Sequence, residues 1–142
     1  MGVPPFVVGP AISLVIAQRL VRQLCKCMKA RPLTTEEKEI VTSTLKQIKK
    51  INATYTKEVP ETINVPVGCS ECSNTGFRGQ LVISEVLSVD ADLQAAILRN
   101  APEDELFKLA REKGMITLYE DGVLKVLEGQ TTLDELHRVT HM

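Results

Sequence analysis

From Ala11 onward, apolar residues recur at every fourth position: Ile12, Ile16, Leu20 and Leu24, with Val15 and Val21 broadening the stripe. Gln18, Arg19, Arg22 and Gln23 occupy the rest of that surface. The period predicts a helix over 11–24. Ahead of it, Pro4, Pro5 and Pro10 resist helix formation and predict an extended entry over 2–9. The pattern breaks over 25–32 and resumes at Thr34. There a second stripe of Ile40, Val41, Leu45, Ile48 and Ile51 predicts a helix. Both its ends agree: Thr34 and Glu37 have capping-box spacing, with Glu36, Glu37 and Glu39 early and Lys46, Lys49 and Lys50 late. A polar connection with two prolines follows over 52–66. Gly68, Gly76 and Gly79 then punctuate a turn-rich patch around Cys69 and Cys72. The apolar, partly β-branched run 81–89 reads as a strand. Beyond it come short, well-punctuated helices. Asp90 caps one reaching Arg99, Pro102 suits the first turn of a second ending at Gly114, and Thr117 opens a third that contains Gly122 and runs to Gly129. Thr132 with Glu135 forms another capping box for a last short helix.

Composition narrows this picture. With 142 residues, the chain is one domain or part of one. Its 44% hydrophobic and 25% charged residues match a globular protein, and this excludes a disordered tail or a low-complexity linker. Only five residues are aromatic and none is Trp, so the core is aliphatic. Seventeen basic against eighteen acidic residues leave a net charge of -1, which gives no basic field for nucleic acid. The apolar run 3–17 is too short and too interrupted by Pro4, Pro5, Gly9 and Pro10 for a spanning helix. It also lacks the basic start and small-residue cleavage site of a secretory signal. The expectation is a cytoplasmic protein with reduced cysteines.

The four cysteines fall in two close pairs, Cys25-Lys-Cys27 and Cys69-Ser-Glu-Cys72. Two such pairs supply two opposite edges of a tetrahedron, the arrangement of a structural zinc site. In an extended segment, residues two apart point to one side, so Cys25 and Cys27 both reach one ion. Two other readings stand beside this one: four reduced cysteines acting as small hydrophobes, or a redox Cys-x-x-Cys without its usual βαβ surroundings. His137 and His141 lie one helical turn apart, without an acidic partner, and read as a solvated helix end. The run 81–85 ends in Glu85 and reads as a buried strand. No Gly-x-x-x-x-Gly-Lys-Ser/Thr occurs, and neither does a Gly-x-Ser-x-Gly elbow, so the chain alone does not read as an enzyme.

Five stretches taken together carry a resemblance. They are Ala17-Gln-Arg-Leu-Val-Arg-Gln-Leu-Cys25, Val67-Gly-Cys-Ser-Glu-Cys-Ser-Asn-Thr-Gly-Phe-Arg-Gly79, Gly114-Met-Ile-Thr-Leu118, Asp121-Gly-Val-Leu-Lys-Val126 and Glu128-Gly-Gln-Thr-Thr-Leu-Asp-Glu-Leu136. In this order and spacing they resemble the C-terminal end of the bacterial ATPases that power type II secretion and type IV pilus assembly, over nearly the whole chain. The fold class expected is mainly α within α+β: a short helical bundle and a small strand-bearing zinc element continuing a truncated RecA-like core. The resemblance implies that 1–24 is the last strand and helix of that core, 25–80 a tetracysteine subdomain and 81–142 a helical C-terminal subdomain. It also implies a structural zinc on Cys25, Cys27, Cys69 and Cys72, with ATP and Mg²⁺ bound only in the longer parent protein. Arg19 and Arg22 are candidates for a subsidiary contact to nucleotide or across a subunit boundary. The partners implied are the other subunits of a homo-hexamer and inner-membrane platform proteins, at a cytoplasmic site peripheral to the inner membrane, and no nucleic acid. One position departs from the family: Met28 stands where the second cysteine of the first pair is usual, and Cys27 precedes it. The alternative reading is a stand-alone zinc-stabilised module that binds protein or nucleic acid.

Overall fold

The structure, a computed structural model, describes residues 5–140. Over that span the fold is α+β, with six α-helices and two antiparallel two-stranded ribbons. Helix α1 (Pro5–Ala11) leads into strand β1 (Leu14–Leu24), then into β2 (Lys29–Pro32) and the long helix α2 (Thr35–Ile51). Strand β3 (Thr62–Val65) returns to pair with β2, from Lys29 opposite Val65 to Pro32 opposite Thr62. Strand β4 (Phe77–Ser88) pairs with β1, from Leu14 opposite Ser88 to Arg22 opposite Gln80. A shift between Arg22 and Leu24 then sets Leu24 opposite Phe77. Helices α3 (Ala91–Leu98), α4 (Glu103–Glu112), α5 (Leu118–Leu127) and α6 (Leu133–Thr140) complete the chain.

Two sequence expectations are corrected at the N-terminal end. The span expected to be extended holds α1 from Pro5 onward, while residues 2–4 lie outside the described residues. The helix expected over 11–24 is strand β1. A repeat of four is also a multiple of two, so Ile12, Ile16, Leu20 and Leu24 satisfy one face of a strand as readily as one face of a helix. The long pairing with β4 decides between them. The segments on either side of α2, which read as loop, contribute the short ribbon β2–β3.

The strand expected over 81–89 is β4, which starts four residues earlier, at Phe77, and α2 and the helices after β4 lie where their caps and periods place them. Thr34 accepts from the Glu37 backbone N–H while the Glu37 carboxylate accepts from the Thr34 N–H, closing the box on α2. Thr117 and Glu120 do the same for α5. Asp90 caps α3 by accepting from the Leu93 N–H at 3.2 Å. Pro102 sits at the cap of α4, one residue ahead of the expected first-turn position.

The core gathers Val21 and Ile83 from the long ribbon, Leu33 and Ile63 beside and within the short one, Val41, Leu45 and Ile48 of α2, and the buried faces of α5 and α6. Gly122 explains its own place in α5: a Cβ there would lie 2.2 Å from Cδ1 of Leu136, which is fully buried. The missing side chain lets α6 close against α5. The opposite face of the long ribbon is open, with Leu14, Ile16, Leu20, Val82 and Val86 all exposed.

Candidate metal centre

The two ribbons meet at the cysteines. Strand β1 ends at Leu24, and the Met28 N–H donating to the Cys25 carbonyl at 3.0 Å closes a turn that carries Cys25 and Cys27. A turn brings these two sulfurs together, and not the extended backbone expected from their spacing. On the other side a 3₁₀ turn, Ser70–Cys72, holds the second pair. Its sharp bends have visible causes. Ser73 and Asn74 are both left-handed, at φ 52° and 60°, and Gly76, at φ 76°, passes so close to Pro66 that a Cβ would lie 2.4 Å from that ring. The Cys25 N–H donates to the Gly76 carbonyl at 2.9 Å and joins the two turns.

All four sulfurs lie within 4.8 Å of one another. Cys25 to Cys69 is 3.8 Å, Cys27 to Cys72 3.9 Å and Cys69 to Cys72 3.7 Å. A tetrahedron with zinc–sulfur bonds of about 2.3 Å has edges of roughly 3.8 Å, so these separations fit such an ion. Cys25 and Cys72 are buried, and none of the four is in a disulfide.

The electrostatics also suit a cation. Burial pushes the Cys72 thiol up, but the backbone N–H groups of Cys69 and Gly76, both 3.2 Å from its sulfur, and the neighbouring thiols outweigh it and hold its pKa at about 6. Cys27 goes the other way: burial, opposed by the Gly68 backbone and reinforced by the three other thiols, raises it to about 11. One sulfur is prepared as thiolate and the next resists further negative charge, an imbalance that a divalent cation relieves.

Arg19 and Arg22 hold α6 against β1. The Arg19 guanidinium donates to the Val139 carbonyl. Arg22 donates from Nε and Nη2 to Glu135 at 3.0 and 2.7 Å, and its backbone N–H donates to the same carboxylate at 2.9 Å. Arg138 adds two more bonds, and the Arg22 guanidinium lies 4.3 Å from the Phe77 ring centre. Burial alone would raise the Glu135 carboxyl; Arg138 and Arg22 overcome it and hold its pKa at about 2. The expected box on α6 is therefore half formed: Thr132 accepts from the Glu135 N–H, but the Glu135 side chain turns to Arg22.

Three other residues take places the sequence did not indicate. His137, expected at a solvated end, is half-buried and stacked on Tyr119, whose hydroxyl lies 3.0 Å from its Nε2; His141 lies outside the described residues. Glu85 accepts from the Leu118 N–H at 3.1 Å and so caps α5 from the strand. Asp121 accepts from the Ser84 N–H at 2.8 Å, closing the outer edge of β4 at that point.

The family model described as "Type II/IV secretion system protein" matches residues 1–138. The type IV pilus assembly ATPase PilB of Thermus thermophilus is 34% identical over 96% of this chain, which covers 14% of that protein's length. The putative type II secretion system protein E of Escherichia coli K12 is 34% identical over 98% of the chain and 26% of its own length. The type IV pilus assembly ATPase TfpB of Acinetobacter baylyi is 36% identical, with 98% and 22% covered. The chain thus spans about a quarter or less of the relatives it matches.

Proposed function

This chain belongs to the type II/IV secretion system protein family, and from that premise we propose that it is the C-terminal part of a longer ATPase driving type II secretion or type IV pilus assembly. The observation that carries the reading is the open ribbon. Two strands in isolation make a marginal sheet, and the large apolar residues on one face of this pair, Leu14, Ile16, Leu20, Val82 and Val86, are solvent-exposed. Among the described residues, the outward backbone groups of β1 find partners at its end, where the Arg22 N–H donates to Glu135, Thr131 donates to the Arg22 carbonyl and the Leu24 N–H donates to the Gln130 carbonyl. An upstream RecA-like core would supply both the missing strand and the cover for this face.

In this reading the phosphate-binding loop and the metal-binding acid lie upstream, and ATP with Mg²⁺ binds there in a homo-hexamer that moves an inner-membrane platform protein. The chain's own contribution is architectural. Arg22, Glu135 and Arg138 lock the helical end to β1. Cys25, Cys27, Cys69 and Cys72 hold a structural zinc, and four thiolates leave no open position for a catalytic water. The protein works at the cytoplasmic side of the inner membrane through its partners. No helix among the described residues is long and apolar enough to cross a membrane.

The test is calorimetric. The isolated chain should show no saturable Mg-ATP binding at micromolar concentration, because a phosphate cradle needs backbone amides, a Lys and a Mg²⁺ ligand assembled together. A chain extended by its upstream coding region should bind and hydrolyse ATP, with the exposed ribbon residues protected from amide exchange. Micromolar binding by the isolated chain, or an upstream region lacking a phosphate-binding loop, would overturn the reading.

A further inference from the structure

At the end of the long ribbon away from the cysteines, its inner face passes from α5 and α6 to α4. Between ribbon and helix lies an open cleft of about 210 Å³. Helix α4 lines it with Glu103, Leu106, Phe107 and Ala110, which are spaced i, i+3, i+4 and i+7 along one face. Val15, Ala17 and Leu87 form the ribbon side. Phe107 is 49% exposed and Val15 45%, so an apolar floor stands open to water.

Size and charge narrow the occupant. The cleft is below the roughly 300–1,000 Å³ usual for enclosing a free small molecule, so it suits side chains delivered by another protein. Two carboxylates border the apolar floor. Glu103 has no ion-pair partner among the described residues, and Glu85 is met only by the Leu118 N–H. By contrast Glu105, on the same helix, is paired with Arg99, and Glu120 with Arg111. Unpaired acids beside aliphatic surface match ammonium or guanidinium groups beside aliphatic anchors.

We propose that this cleft receives an amphipathic basic helix of a partner protein, seating one or two aliphatic anchors a turn apart against Leu106, Phe107 and Val15, with flanking Lys or Arg facing Glu103 and Glu85. This is helix-in-groove recognition, and it depends on neither the metal nor nucleotide. The outer face of the same ribbon, Leu14, Ile16, Leu20, Val82 and Val86, is the competing apolar surface. Its polar residues, Gln18, Arg22, Gln80 and Ser88, include no carboxylate, so it has no reason to prefer a basic partner.

The experiment is methyl-labelled NMR of the full chain, titrated with an amphipathic helical peptide built only of Leu and Lys, and with its counterpart in which Glu replaces Lys. The expected result is saturable shifts at Val15, Leu87, Leu106 and Met115 with the Leu/Lys peptide and much weaker ones with the Leu/Glu peptide. Glu103→Lys should lower the affinity for the Leu/Lys peptide about five-fold, since an exposed pair is lost and a like charge gained. Phe107→Ser, at an already exposed position, should lower it further while leaving the methyl spectrum of the α5–α6 core unchanged. Shifts confined to Leu14, Ile16 and Val82, equal binding of both peptides, unchanged affinity in Glu103→Lys, or no saturation at millimolar peptide would each overturn the proposal.

Discussion

Glu135→Gln is the sharpest perturbation that the structure offers. The Glu135 side chain has no exposed surface, yet it accepts from Arg22 Nε, Nη2 and backbone N–H and from two nitrogens of Arg138. Its pKa falls from 4.5 to about 2, so the sign of the linkage is that of a depressed carboxyl. The stabilisation is complete above the unfolded value and is lost as pH falls through the folded one. A shift of that size corresponds to about 3 kcal/mol at pH 7 and about 1 kcal/mol at pH 3. These are ceilings, because the Arg22 and Arg138 side chains are about half exposed and their attraction is screened. Glutamine keeps the shape and one acceptor for the Arg22 N–H, so the expected loss at pH 7 is about 2 kcal/mol. The assay is urea unfolding of both proteins at pH 7, 5, 4 and 3, which cancels every other titration they share. The gap between them should narrow steadily below pH 5. A difference under about 0.5 kcal/mol at pH 7, within the ordinary scatter of surface changes, or a gap that persists unchanged at pH 3, would refute the reasoning.

Other outcomes follow from the same contacts. Protein purified without chelator should carry about one zinc per chain, with sulfur distances near 2.3 Å by X-ray absorption; less than a tenth of an equivalent of any transition metal would defeat the site. Cys72→Ser should speed amide exchange over 66–79 while leaving α3 to α6 protected, because that segment holds few large apolar groups to order it without an ion. Gly122→Ala should cost about 1–3 kcal/mol by thermal unfolding, since the clash with Leu136 outweighs the helix propensity gained. Thr34→Ala should cost about 1 kcal/mol from the loss of a helix cap, with no change in metal content.

Local chemistry was well written in the sequence. The capping residues Thr34, Asp90 and Thr117 fixed the starts of three helices because a cap acts within a single turn. The cysteine pairs declared the candidate metal centre, since ligand spacing is a local property even when the pairs are 41 residues apart. Contacts across the chain were hidden. Strand β1 reads as a helix because a four-residue repeat carries no information on which period produced it, and its partner β4 lies more than fifty residues on. Glu135 signalled a cap through its distance from Thr132, but its stronger tie to Arg22 spans 113 residues and leaves no local trace. His137 looked solvated for the same reason: Tyr119 reaches it from another helix.

The cysteine turns also set the terms on which this chain can change length. Cys27 and Cys69 are the two ends of a detour through β2, α2 and β3, and their sulfurs meet those of Cys25 and Cys72 in one cluster. A closed detour tells the rest of the molecule nothing of its contour length, and doubling a flexible loop costs only about 0.6 kcal/mol. Within the detour, Val41, Leu45 and Ile48 must keep their seat in the core, whereas 52–61 contains no regular element and leans on the core through Tyr55 and Val59. Insertions and deletions between relatives should therefore accumulate in that stretch. A foreign peptide spliced there should leave the register of both ribbons intact, making it the natural place to attach a reporter.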